Sequence, residues 1–317
     1  MHEYYKSNRF HKGQIVSVRS LKDIIATLDA ENKLEGMPFM PEMAQYCGHS
    51  FRIACLPVMT CVEGASFRSH SGTVFLENLR CDGSYHDGCQ RDCLLFWKEA
   101  WLTDQPITQS PTSGDDTADP SKDILKTKQG ERYFCQSTEL VGATSVYKPD
   151  TSLKGKAKKL LSDVWHGEMT IPAFLLKILN VPVNRLKGML GLDKSGSVTG
   201  PHQKTETLSL NLQPGEWVEV KSRQEIEDTL DIHGKNRGLI FDSPMLDECG
   251  KQFQVECQIK KIILEETGQM ISLNNTVLLQ NNICTAWGCP RANRPYWREI
   301  WLKRIEPETN RQSKPGN

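Results

Sequence analysis

The stretch Gly13-Gln-Ile-Val-Ser-Val-Arg-Ser20 returns as Gly215-Glu-Trp-Val-Glu-Val-Lys-Ser222, and that return governs how the whole chain is read. Val16 and Val18, like Val218 and Val220, alternate with polar residues, the period-two pattern of a strand with one buried face. Ser20 and Ser222 then stand where a hydroxyl can accept from an orphan amide and start a short helix, with Asp23 and Glu225 three residues on. At a constant offset Ile24, Thr27, Leu28 and Asp29 match Ile226, Thr229, Leu230 and Asp231. Gly36 and Phe39 match Gly238 and Phe241, and Met43, Cys47, Gly48, Phe51 and Cys55 match Met245, Cys249, Gly250, Phe253 and Cys257. Further on, Trp97-Lys-Glu-Ala-Trp-Leu102 matches Trp297-Arg-Glu-Ile-Trp-Leu302. A unit of roughly 90 residues is duplicated, which is the size of a small domain rather than of a solenoid repeat.

Each copy continues with turns at Asp29 to Gly36 and Asp231 to Gly238. Strands are predicted at Phe51 to Leu56 and Phe253 to Ile259, at Val74 to Leu79 and Val277 to Gln280, and through the two Trp-x-Glu-x-Trp segments. Short strands, tight turns and one brief helix predict a mainly β, α+β chain: tandem duplicated small barrels joined by a linker and a helical segment. The opening Gly-x-x-Val-x-Val-Arg/Lys-Ser resembles the first strand of SH3-like barrels. Over nearly its whole length the chain also resembles a family of uncharacterised bacterial proteins built from the same two repeats. The segments that carry this resemblance are Gly36-Met-Pro-Phe-Met-Pro-Glu-Met43, Leu79-Arg-Cys-Asp-Gly-Ser84 and Cys289-Pro-Arg-Ala292. It implies the two-repeat architecture and no particular chemistry.

The reading divides the chain into a first repeat over 1–104, a flexible linker over 105–134, a helical connecting segment over 135–210, a second repeat over 211–308 and a disordered tail over 309–317. Asp104 to Glu131 contains Gln-Ser-Pro-Thr-Ser-Gly-Asp-Asp and almost nothing apolar, which is the composition of a linker. Lys154 to Leu190 is basic and amphipathic, with Lys154, Lys156, Lys158 and Lys159 ahead of Phe174, Leu175, Ile178 and Leu179. Such a segment packs on its own domain, or else engages a protein partner or, peripherally, a membrane surface.

Among 317 residues, 39 Lys and Arg balance 39 Asp and Glu. That neutrality weighs against nucleic-acid binding, which uses a basic face to displace counterions from phosphates. Residues 1 to 10 hold no apolar signal-peptide core, and no run approaches the roughly 18 apolar residues of a membrane span, so a soluble cytoplasmic protein is expected. Eleven cysteines without an export signal point to metal binding where they cluster. Isolated thiols such as Cys135 read as small buried hydrophobes.

They cluster in Cys81-Asp-Gly-Ser-Tyr-His86-Asp-Gly-Cys89-Gln-Arg-Asp-Cys93. With Cys61 this segment supplies four thiolates, a complete set for zinc and equally for a [4Fe-4S] cluster. His86 can replace one of them. The paired Cys-x2-4-Cys knuckles of zinc ribbons are absent, since only Cys89 and Cys93 are close, so a chain without metal stays open as a third reading. In the second repeat Cys284 and Cys289 match Cys81 and Cys89, but Ile263 stands for Cys61 and Asn293 for Cys93. A four-thiolate site is therefore expected in the first repeat only. Glu99, between two indoles, and His86 are candidate acids or bases. The recurrence of Glu99 as Glu299 favours a structural bond instead. The composite expectation is a metal-binding accessory or interaction protein, with a metalloenzyme or iron-sulfur redox protein as the alternative.

Overall fold

In the computed structural model, the described residues are 9–57, 59–63, 65–105, 125–148, 150–165, 170–172, 198–284 and 290–306. The chain is mainly β with short helices. The first repeat forms a five-stranded antiparallel sheet from β1 (Ile15–Val18), β2 (Ser50–Cys55), β3 (Thr73–Arg80), β4 (Leu94–Lys98) and β5 (Leu102–Thr103), in the order β4-β3-β2-β1-β5. The second repeat forms its counterpart from β6 (Trp217–Val220), β7 (Gln252–Gln258), β8 (Thr276–Leu279), β9 (Trp297–Arg298) and β10 (Leu302–Ile305), in the order β9-β8-β7-β6-β10.

The duplication extends to register. Val16 pairs with Phe51 and Val218 with Phe253, and each second strand shifts register at one place, between Ile53 and Cys55 or between Val255 and Cys257. The alternation of the opening strands does what its period requires: Val16, Val18, Val218 and Val220 are all buried. The helices α1 (Leu21–Ile25) and, later in the chain, Arg223–Glu227 start as expected, with Ser20 Oγ accepting from Asp23 N–H and Ser222 Oγ from Glu225 N–H.

One expected strand is different. The Trp-x-Glu-x-Trp segments are not continuous strands; in each, a 3-10 turn, Glu99–Trp101 or Glu299–Trp301, separates two short strands. The turn lets both indoles reach the same core ring. Trp97 and Trp101 meet Phe39 edge-on at centroid distances of 6.3 and 5.2 Å, and Trp297 and Trp301 meet Phe241 at 6.0 and 5.2 Å. Trp101 Nε1 donates to Thr27 Oγ1 and Trp301 Nε1 to Thr229 Oγ1, each at 3.1 Å, which meets the need of a buried indole for an acceptor.

By compactness the chain forms two units. The first holds residues 1–189 together with 263–271 and 288–291; the second holds the remainder. The expected linker is shortened at its C-terminal end, because Leu125 and Phe134 are buried in the first unit and Lys128–Gln129 pairs with Arg132–Tyr133. Residues 106–124 lie outside the described residues. The helix α2 (Gln136–Glu139) follows, and Gln136 lies against the free edge of β4. Its side chain accepts from Phe96 N–H at 2.8 Å and donates to Phe96 C=O at 2.8 Å, as a neighbouring strand would.

The basic segment begins as a helix, α3 (Leu153–Trp165), on which Lys154 and Lys158 are exposed while Lys159 pairs with the buried Asp163 at 2.8 Å. Its predicted continuation over 174–190 lies outside the described residues, as does the tail over 309–317. Among the described residues no helix is long and apolar enough to cross a membrane.

Candidate metal centre

The loop from Cys81 to Cys93 leaves the end of β3 and returns at the start of β4, and Cys81 N–H donates to Cys93 C=O at 2.8 Å across its base. Within it, Asp82 Oδ1 accepts from Ser84 N–H at 2.9 Å and Ser84 Oγ–H at 2.7 Å, an Asx turn. Gly83 C=O then accepts from His86 N–H at 3.0 Å and Gly88 N–H at 2.9 Å. Gly83 has φ +72°, and a Cβ there would fall 2.0 Å from Cys89 O, so the turn closes only on glycine. Outside the loop, Asp87 accepts from Lys128 Nζ at 3.0 Å and from the Tyr133 hydroxyl.

This winding turns His86 inward until it is 1% exposed. Its Nε2 lies 3.1 Å from Phe134 C=O, which can only accept, so Nε2 is the donor and Nδ1 faces inward. Nδ1 is 3.8 Å from Glu42 Oε1. Glu42 comes from the 3-10 turn Pro41–Tyr46 and is 3% exposed. Cys81 Sγ lies 3.1 Å from the same Oε1. The ligand atoms of Glu42, Cys81 and His86 all lie within 4.8 Å of one another. Glu42 Oε2 and His86 Nδ1 are buried with no hydrogen-bond partner, a costly state for polar atoms. Burial, followed by Glu42 and then Cys93, pushes the Cys81 thiol far above its ordinary value.

A cavity of about 30 Å³ adjoins the three, large enough for a water or an ion. Glu42, Cys81, His86, Cys89, Cys93 and Cys135 are among its lining residues. The expected set of Cys61, Cys81, Cys89 and Cys93 is thus only partly assembled. Cys89 and Cys93 share the cavity with Cys81 but do not join a group of three within 4.8 Å. Cys61 sits in the strand Met59–Val62, where it offers its backbone C=O to Arg291 Nη1 at 2.9 Å, and it does not line the cavity. None of the described cysteines forms a disulfide.

Sequence reasoning missed Glu42 and Cys135. The signal for Glu42 was present: it is the one charge in Met37-Pro-Phe-Met-Pro-Glu-Met43, and the second repeat has Pro244 at its place. Cys135 arrives from a distant segment and reads from sequence as an isolated thiol. Glu99 does not join the site. Its counterpart Glu299 accepts from the backbone N–H groups of Leu210, Asn211 and Leu212 at 2.5, 3.0 and 2.9 Å, a structural staple of the second repeat.

Beside the cavity the first unit buries an ionic cluster. Arg291 donates to Glu265, and Arg91 Nη2 reaches Glu265 Oε1 at 3.3 Å. Burial alone would raise the Glu265 carboxyl, but Arg291 and Arg91 hold it down at about 2. The bonding is reciprocal between positions that match in the repeats. Glu63 N–H donates to Glu265 Oε2 at 3.0 Å and Glu265 N–H to Glu63 Oε2 at 3.4 Å; Arg91 Nη1 donates to Ile263 C=O at 3.0 Å as Arg291 does to Cys61 C=O. Comparison of the chain with protein-family models, curated proteins and solved structures gives no match.

Proposed function

We propose that the protein is a zinc-binding accessory protein whose ion sits in the first unit between Glu42 Oε, Cys81 Sγ and His86 Nδ1. The observation that carries this reading is the meeting of a thiol, an imidazole lone pair and a carboxylate in a buried place where two of their atoms lack partners. Thiolate, imidazole and carboxylate are all zinc ligands. The His86 Nε2–H bond to Phe134 C=O is the outer support that a ligating histidine normally has. A [4Fe-4S] cluster fits less well, since it takes four thiolates and the assembled trio holds one.

We read the two sheets as SH3-like barrels, supported by five short antiparallel strands and a 3-10 turn before the last strand in each. We assign α3, with Lys154 and Lys158 exposed, to contact with a protein partner. Metal analysis of anaerobically purified protein tests the central claim. The expected result is a colourless protein with about one zinc per chain, reduced by Cys81→Ser and by His86→Ala. A metal-free wild type would overturn the proposal, and a brown protein carrying iron and sulfide would replace it with the cluster.

A further inference from the structure

We infer that the second unit binds an oxyanion, the side-chain carboxylate of an acidic peptide, at Arg237 and Arg298, where the first repeat supplies a carboxylate of its own. The inference does not depend on the metal centre. In the first repeat a two-residue turn, Glu35-Gly36, joins Lys33–Leu34 to Met37–Pro38 with φ of +51° and +80°. Lys98, at the end of β4, donates from Nζ to Ser71 C=O at 3.2 Å and pairs with Glu35 Oε2 at 2.7 Å. The Lys98 side chain is 4% exposed and that of Glu35 is 67% exposed, so the carboxylate meets a buried cation at a place open to solvent.

The second repeat rebuilds this frame and changes its charge. The turn Arg237-Gly238 has φ of +47° and +81°, and Arg298 ends β9 as Lys98 ends β4, paired in register with Thr276 as Lys98 is with Thr73. Arg298 Nη1 donates to Asn274 C=O at 2.7 Å and to Thr276 Oγ1 at 2.9 Å, and Nη2 donates to Arg237 C=O at 3.0 Å. Arginine now stands where the first turn has glutamate, so the buried cation has a second cation beside it in place of an acid. Burial, followed by Arg237, lowers the Arg298 guanidinium. Among the described residues neither arginine forms an ion pair, and Arg298 Nε is buried without a hydrogen-bond partner. Glu206 meets the turn through its backbone instead, its C=O accepting from Asn236 Nδ2 at 3.1 Å. Arg298 is 8% exposed and Arg237 is exposed. A buried cation without an acid is costly, and a guanidinium open to solvent beside it offers an oxyanion charge-assisted bonds. The precedent within the chain is the Glu35 carboxylate, which is why an acidic side chain is assigned ahead of a phosphate.

The test titrates the full-length, nitrogen-15-labelled protein with hexaglutamate and, separately, with inorganic phosphate at equal ionic strength, followed by magnetic resonance. Hexaglutamate is expected to shift the Arg237 and Gly238 amide signals and the Arg298 Nε signal, and to bind less well as salt is raised. Arg237→Glu installs the first repeat's own pair at a backbone angle that Glu35 already adopts, so the fold is expected to survive. It should weaken hexaglutamate binding by about tenfold or more, the value of a charged hydrogen bond. Arg237→Gln, which removes the charge without adding an acid, should weaken it in the same direction. Arg298→Lys, which keeps the cation in the form the first repeat uses, should retain binding. Shifts confined to residues away from the turn, hexaglutamate binding unchanged in Arg237→Glu and Arg237→Gln, a response to phosphate alone, or no response at all overturns the inference.

Discussion

The loop that leaves β3 and the loop that leaves β8 start and finish alike. Cys81 N–H bonds Cys93 C=O at 2.8 Å, and Cys284 N–H bonds Asn293 C=O at 2.7 Å. Between those closures they part. Cys81 to Cys89 is eight steps and Cys284 to Cys289 is five, and the three extra residues of the first loop bring His86. Pro244 replaces Glu42, Leu273 replaces His70, and Trp297 Nε1 finds Asn282 Oδ1 at 2.9 Å whereas Trp97 Nε1 is buried without a partner. The second repeat keeps the sheet, the edge-on aromatic trio and the N-cap while lacking Glu42, His86 and Cys93. Sheet and site are therefore separable: the sheet is held by apolar packing common to both copies, and the polar groups of the site are an added cost that a ligand would offset.

The largest expected effect tests that separation directly. Chelating the metal from loaded protein should lower the stability of the first unit by about 4 kcal/mol when free metal had stood a thousandfold above its dissociation constant. Cys81→Ser should abolish the response, and Cys284→Ser should leave it intact. Urea unfolding with and without chelator reads this, and equal responses from the two variants would mean that the repeats are not asymmetric.

Acid should separate the copies next. Burial first, then Arg291 and Lys98, lowers His70 from its ordinary 6.5 to about 3, so the folded first unit keeps it neutral where the unfolded chain binds a proton. This contribution is complete above pH 6.5 and is lost as pH falls toward 3, for a total of about 5 kcal/mol. The low-lying Glu265 adds a second acid-labile term, present above about 4.5 and lost as pH falls through about 2. Unfolding midpoints measured between pH 7 and pH 4 should fall for wild type and fall much less for His70→Leu, which installs the second repeat's residue. Parallel pH curves for the two proteins would show that His70 is not responsible.

A smaller difference is expected at the matched glutamates. Glu299→Gln weakens three bonds from backbone N–H groups and should cost about 2 kcal/mol in the second unit. Glu99 has Oε1 buried and unbonded, so Glu99→Gln should cost less than half as much in the same denaturation assay. Last, Ser20→Ala and Ser222→Ala should each cost about 1 kcal/mol, the usual value of an N-cap. A larger loss at Ser20 than at Ser222, whose hydroxyl also bonds Glu225 Oε2 at 2.7 Å, would contradict the shared cap.

Most of the sheet could be read in the sequence, because a duplicated pattern states each strand twice: Val16 and Val18 were checked by Val218 and Val220, and Ser20 by Ser222. The 3-10 turn at Glu99–Trp101 could not, since Trp-x-Glu-x-Trp has the same alternation as a strand and only the shared contact with Phe39 distinguishes them. Cys81 and His86 were legible as ligand types at close spacing. Glu42, Phe134 and Ser137 were not, because they come from separate segments and meet the loop only after the sheet has formed. Cys61 lies outside the cavity lining for the converse reason: a cysteine's type can be read, but which side of a strand faces the cavity depends on register.

The Gln136 side chain, by occupying both hydrogen-bonding groups of Phe96, also bears on how these molecules behave in a crowded solution. An open sheet ends in a strand whose unpaired amides can recruit the same strand of another molecule, and the growth of such pairs is the first step toward fibres. A single primary amide, placed where a neighbouring backbone would bind, fills that place from within the chain. One polar side chain thereby covers, at Phe96, part of an edge that the strand of another molecule would otherwise meet.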